Sequence, residues 1–126
     1  MTIIGKVEPG KQLGRLLGYP TANVRPEGAP VLPENGVYAA SILLEGEVIP
    51  RPCMLNQGIH PTVPDGKATI EAHLLDFDGD LYGWRVQLEY LQFLRPERRF
   101  EDLDALKAQL RRDLAATREW FEAHPL

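Results

Sequence analysis

The sequence predicts a small, mainly β protein: a barrel of antiparallel strands with one helix packed on its outside or across one end. Three observations carry that expectation. Eleven prolines and eleven glycines in 126 residues fall mostly in the first two thirds and cut it into pieces suited to strands and turns. Two stretches before residue 100 alternate apolar and polar residues with a period of two. Past residue 100 the period lengthens to that of an amphipathic helix. Strands first and one helix last suggest a small barrel carrying a packed helix.

Each element arises from its residues. Residues 36–44, Gly-Val-Tyr-Ala-Ala-Ser-Ile-Leu-Leu, read as a strand that is apolar on both faces. Glu45-Gly46-Glu47 is a tight turn. Residues 48–55 return, but Pro50 and Pro52 cannot donate to a ladder, which predicts an irregular or sheet-edge segment. Residues 67–76 alternate cleanly, with Ile70, Ala72 and Leu74 on one face and Thr69, Glu71 and His73 on the other. Asp78-Gly79 predicts a hairpin turn into a strand over 82–94. There Trp84, Val86, Leu88 and Tyr90 share one face, and Arg85, Gln87 and Glu89 the other. Leu103, Leu106, Leu110, Leu114, Thr117 and Phe121 recur at spacings of three and four, which predicts a helix over about 102–122. Asp102 suits its N-cap, and His124-Pro125 ends it. The length fits one domain over 1–126 with a real core.

Composition narrows the function classes. The net charge is −4, whereas a duplex nucleic-acid binder shows a Lys/Arg excess. Cys53 is the lone cysteine, so neither a disulfide framework nor a cysteine metal cluster is encoded. Met1-Thr2-Ile3-Ile4-Gly5-Lys6 is too short and too soon charged for a signal peptide. No apolar run approaches the ~18 residues of a membrane helix. A cytoplasmic protein with no nucleic-acid or membrane partner is the expectation.

Several motifs carry possible chemistry. Gly5-x-x-x-x-Gly10-Lys11 nearly spells a P-loop, but Gln12 stands where Ser or Thr would hold magnesium, and no βαβ unit surrounds it. Asp76-Phe-Asp78-Gly-Asp80 has its glycine and twelfth residue wrong for a calcium loop, so a plain turn is the better reading. Glu71 and His73 share a polar strand face; such a face is ordinarily solvated, yet a carboxylate there can act as a general base. Asp113 flanks the helix's apolar stripe, about 80° from its centre at ~100° per residue. It reads either as a boundary carboxylate paired with a cation such as Arg112 or as a polar anchor beside a pocket. Gly14-Arg15-Leu16-Leu17-Gly18-Tyr19-Pro20-Thr21-Ala22-Asn23 is the most unusual piece. Its glycines free backbone N–H groups to approach phosphates, and Pro20 stiffens the chain before two hard oxygen donors, Thr21 and Asn23, of the kind Mg²⁺ accepts.

That segment, together with the stretches downstream of it, resembles the riboflavin kinase family. The pieces occur in the family's order from Gly5 to about Phe121: 14–23, then Asn35-Gly36-Val37-Tyr38-Ala39, Asn56-x-Gly58-x-x-Pro61-Thr62, and Ile70-Glu71-Ala72-His73-Leu74-Leu75-Asp76-Phe77. Asp80-Leu81-Tyr82-Gly83, Leu94-Arg95-Pro96-Glu97-x-x-Phe100 and the helix with Asp113 complete the set. The resemblance implies a six-stranded antiparallel Greek-key barrel with a C-terminal helix. It implies a kinase that transfers the γ-phosphate of ATP to the riboflavin 5′-hydroxyl, giving FMN and ADP with Mg²⁺. By position, Glu71 would be the base, and Thr21 and Asn23 would meet the metal. Gly10, Gly14, Arg15, Gly18, Pro20, Thr21 and Asn23 would bind ATP, with 10–18 closing over ADP as a loop not expected to be ordered without nucleotide. Arg95, Phe100 and Asp113 would contact the flavin from a mobile loop and the helix. His60 stands where bacterial relatives carry Arg, so that contact is not carried over. No His-x-Gly-His nucleotidyltransferase motif is present. The chain is therefore expected to make no FAD, whether it is a short kinase or part of a longer parent with an FMN adenylyltransferase domain. The alternatives are a non-catalytic flavin- or nucleotide-binding barrel and a protein-interaction barrel.

Overall fold

A computed structural model describes residues 1–8, 18, 21–59 and 68–126. Six strands, β1 (Thr2–Glu8), β2 (Ala22–Pro26), β3 (Gly36–Leu44), β4 (Arg51–Ile59), β5 (Ala68–Leu74) and β6 (Arg85–Pro96), precede a helix, α1 (Leu103–Ala123). The strands close into a barrel in the order β1-β2-β5-β4-β3-β6, and every neighbouring pair is antiparallel. β3, β4 and β5 are successive neighbours. β2 lies beside β5 and β6 beside β3, each across a longer connection, which makes two overlapping Greek keys.

Alternation decides which residues fill the barrel. Ile42, Leu55, Ile70 and Leu88 are fully buried within it, with Ile3, Val7, Val24 and Val86 around them. Cys53 is enclosed in the same core, and burial pushes its thiol far above the ordinary range. One polar group shares this interior. Gln57 is fully buried; its Nε2 donates to the Pro33 carbonyl at 2.8 Å and to Asn35 Oδ1 at 3.0 Å. The Tyr90 hydroxyl donates to Gln57 Oε1 at 2.6 Å. A buried amide with its bonds made costs little, and this one pins the β2–β3 crossover to the barrel.

The strand over 36–44 and the alternation of 67–76 stand as expected, within one or two residues. Three expectations need correction. Residues 51–59 form a regular, largely buried strand in a ring that has no edge; only 48–50 are irregular. Pro52 is tolerated because its carbonyl, which accepts the Leu75 N–H at 3.0 Å, and hence its missing donor, faces the end of β5 just past Leu74. Asp78-Gly79 does not close a hairpin, because β5 and β6 are not neighbours. The segment is a connection in which Asp76 adopts φ 52° and pairs with Arg118 at 3.0 Å. β6 starts at Arg85, so Trp84 precedes the strand and is 42% exposed.

α1 begins where expected: Asp102 Oδ1 accepts the Ala105 N–H at 2.8 Å, and His124 caps the other end. Its stripe is rotated from the expected one. Leu110, Asp113 and Thr117 are the buried positions, whereas Leu103 is 61% exposed. Leu110 packs with Val37 and Met54 on the outer wall, flanked by Leu94, Leu106 and Leu114. The helix therefore lies against the outside of the barrel. Among the described residues, no helix is long and apolar enough to cross a membrane.

Candidate functional site

Strand register builds the site. Glu71 on β5 is the Cα partner of Asn23 on β2 and of Asn56 on β4. Asn56 is in turn the partner of Val37 on β3, and Val37 of Arg95 on β6. One row thus crosses five strands: Asn23, Glu71, Asn56, Val37, Arg95. The residues on either side of the first three, Ala22, Val24, Ile70, Ala72, Leu55 and Gln57, are buried, so alternation turns the row to the outer wall. Directly opposed Cβ atoms sit about 4.5–5.5 Å apart, which sets Asn23 and Asn56 on the strands flanking Glu71. Thr21 immediately precedes β2, two residues from Asn23 and so on its face by the same alternation.

Glu71 is half-buried, and desolvation pushes its carboxyl above the ordinary range of 4.5. Among the described residues no charged partner offsets that shift. Thr21, Asn23 and Glu71 are all hard oxygen donors. Among the described residues no three His, Cys, Asp or Glu side chains gather to hold a metal ion. This donor set fits a Mg²⁺ held largely by phosphate and water, with one or two protein oxygens.

The other end of the row is cationic and aromatic. Arg95 makes a two-pronged bond to Asp113, Nε to Oδ1 at 2.8 Å and Nη2 to Oδ2 at 2.7 Å. Their side chains are 16% and 3% exposed. Gln109, one helical turn before Asp113, donates Nε2 to Asp113 Oδ1 at 2.8 Å. The Arg95 and Arg98 guanidinium groups lie over the Phe100 ring, 5.7 Å and 4.8 Å from its centroid. Arg95, Phe100 and Asp113 are therefore one cluster. Two expectations change: Asp113 pairs with Arg95 rather than Arg112, and Arg95 stands on β6 rather than on a loop. Arg112 bonds Gln109 instead.

Gly10, Gly14, Arg15 and Pro20, the expected closure of 10–18 and its order, and His60 lie outside the described residues. Gly18 is described, exposed and with φ 84°, a conformation that favours glycine. Sequence reasoning misses Asn56 and Gln109. Asn56 lies within the Asn-x-Gly-x-x-Pro-Thr motif, but only register reveals that it borders Glu71. Gln109 shows the i, i+4 spacing to Asp113. An open groove lined by Ile4, Leu43, Glu45, Glu47 and Arg85 contains none of these residues.

A family model described as riboflavin kinase matches residues 1–121. A bifunctional riboflavin kinase/FMN adenylyltransferase of Escherichia coli K12 is 46% identical over 119 residues, covering 94% of this chain and 37% of its own length. The chain thus spans well under half of that relative. A riboflavin kinase structure from Trypanosoma brucei superposes with a TM-score of 0.66 at 26% identity, covering 96% of this chain and 79% of that one. A Streptococcus pneumoniae structure described as a macrolide-efflux protein superposes with a TM-score of 0.83 at 32% identity, covering 94% of this chain and 38% of that one.

Proposed function

This chain belongs to the riboflavin kinase family and corresponds to the kinase part of its longer relatives, and on that premise we propose that it transfers the γ-phosphoryl group of ATP to the 5′-hydroxyl of riboflavin. The products are FMN and ADP. The observation that carries this reading is the row on the outer wall, with a desolvated carboxylate between two amides at one end and an Arg–Asp–Phe cluster at the other. Three strand spacings separate Glu71 from Arg95, about 14 Å along the wall at ~4.8 Å each. An elongated substrate suits that arrangement, with its flavin end at Arg95, Phe100 and Asp113 and its ribityl end at Glu71.

In the proposed step, the 5′-oxygen forms a bond to the γ-phosphorus as the bond from that phosphorus to the β–γ bridging oxygen breaks. The hydroxyl proton passes to a Glu71 carboxylate oxygen, and ADP leaves. Phosphoryl transfer needs alignment and charge neutralisation more than covalent help. Glu71 orients the hydroxyl, and its raised pKa makes it a better proton acceptor at neutral pH than an ordinary carboxylate. Thr21 and Asn23 would hold the magnesium, which when bound neutralises phosphate charge. The segment from Gly10 to Pro20, with Arg15, would supply backbone and side-chain donors to the nucleotide. The FMN adenylyltransferase activity in the relatives' names is not part of this proposal, which stops at FMN. We place the activity in the cytoplasm, where a lone thiol such as Cys53 stays reduced.

The test is incubation with riboflavin, ATP and Mg²⁺, followed by chromatography for FMN. Flavin binding without product would favour a binding-only barrel. Glu71→Gln should leave flavin binding largely intact and lower turnover by roughly 10²–10⁴-fold; full activity in that variant removes Glu71 from the role.

A further inference from the structure

The row places a third side chain at the reacting end. Asn56 is the Cα partner of Glu71 on the side away from Asn23. Leu55 and Gln57 on either side of it are fully buried in the barrel, so the Asn56 amide points along the same outer wall as the carboxylate. Its position is fixed from behind. Gln57 is held by Pro33, Asn35 and Tyr90, and Val37, the partner of Asn56 on β3, is clamped under Leu110. A side chain on so anchored a stretch can hold a neighbour's orientation.

The two amides beside Glu71 are not equivalent. In the proposed reaction the oxygen of Asn23 serves the metal. Asn56 stands on the opposite side of Glu71 from that metal, and its N–H₂ can donate to the carboxylate. A donor on the far side of a carboxylate selects which of its oxygens faces the hydroxyl.

In this structure the two side chains are neighbours without a hydrogen bond, and desolvation alone shifts Glu71. We propose that Asn56 is a positioning residue for the kinase reaction: with substrates bound, it donates Nδ2–H to one Glu71 oxygen so that the other faces the riboflavin 5′-hydroxyl. This rests on the reading of Glu71 as base. Asn56 touches neither substrate in this arrangement and acts wholly through Glu71.

A double-mutant cycle tests it. Asn56→Leu keeps the branched outline of the side chain and removes the donor. Its kcat should fall about 10–100-fold, the worth of one hydrogen bond to a charged group, with the KM values for riboflavin and ATP within about twofold of the parent protein. Asn56→Ser, which keeps a donor, should recover part of the loss. In a Glu71→Gln background, Asn56→Leu should cost less than about threefold, because its partner's function is already gone. An equal loss in both backgrounds would overturn the proposal, as would a raised KM for riboflavin, which would mean direct contact with substrate. Loss of folding in Asn56→Leu, read by thermal melting, would move the decision to Asn56→Ser and Asn56→Asp, which must then show the same dependence on Glu71. If Glu71→Gln itself keeps full activity, the base reading fails first, and the cycle shows that separately.

Discussion

The inner and outer walls of the barrel are made by the same strands and obey different rules. On β5, Ile70, Ala72 and Leu74 point in and are buried, while Thr69, Glu71 and His73 point out and are half-buried. The inner wall is mostly aliphatic, joined by Tyr38, Cys53 and the hydrogen-bonded Gln57, and its packing rests chiefly on shape. The outer wall under and beside α1 carries a charged pair, a desolvated carboxylate and two amides, each of which needs a particular neighbour. Stability resides chiefly inside and the proposed chemistry outside, so damage to the two walls should look different.

The largest effect belongs to the inner wall. Leu55→Ala opens a cavity in the fully buried core and should cost about 3–5 kcal/mol in urea unfolding, while the folded fraction keeps its kcat/KM. A loss below about 1 kcal/mol would mean that the interior collapses around the gap. Asp113→Ala should cost somewhat less, about 2–4 kcal/mol, because it strands a guanidinium that is mostly buried yet reaches some solvent. Unlike the core change, it should also raise the KM for riboflavin; an unchanged KM would remove the Arg95–Asp113 pair from the flavin end of the site.

Glu71→Gln should do the opposite on the stability axis. Burial raises the folded-state pKa of Glu71 above its unfolded value, so the fold binds its proton more tightly than the unfolded chain does. The cost of keeping the group ionised is absent below the unfolded value of 4.5 and fully present once the pH exceeds the raised folded one. The variant should therefore melt higher than the parent at pH 7, with the advantage shrinking as the pH falls to about 4. A gain of equal size at both pH values would place its cause outside ionisation. Smallest of all is Arg85→Ala. Its pair with Glu27 has good geometry at 2.8 Å, but both side chains are more than half exposed. A change below about 0.5 kcal/mol is expected, sinking further in about 1 M salt.

Legibility in the sequence divides along the same line. Alternation along one strand is a local signal, so the inward set of β5 and the bounds of β3 can be read directly. The helix and its Asp102 cap are legible for the same reason. Pairing between strands is not local. Nothing in Asp78-Gly79 reveals that β5 and β6 avoid each other, and Pro52 reads as an interruption until the ladder it faces is known to have ended. The site itself is half legible. Glu71, Asn23 and Thr21 stand out by residue type and family resemblance. The adjacency of Asn23, Glu71 and Asn56 depends on two registers, and the partnership of Asp113 with Arg95 depends on where the helix docks.

Gly36 holds a hinge point of that arrangement. A Cβ there would run into the Arg95 carbonyl oxygen, so β3 and β6 approach closely where Arg95 stands. The β3–β6 pairing slips beside this rung, between Val37 and Tyr38 and again between Ala39 and Ala40. Around a closed ring, the offsets of all six pairings must sum to one fixed integer. Asn23 cannot drift past Glu71 by one residue unless another seam absorbs the step, and any single step would turn a strand inside out. The two irregularities beside Gly36 mark where this ring has taken up its mismatch, leaving the seams on both sides of Glu71 in unbroken step.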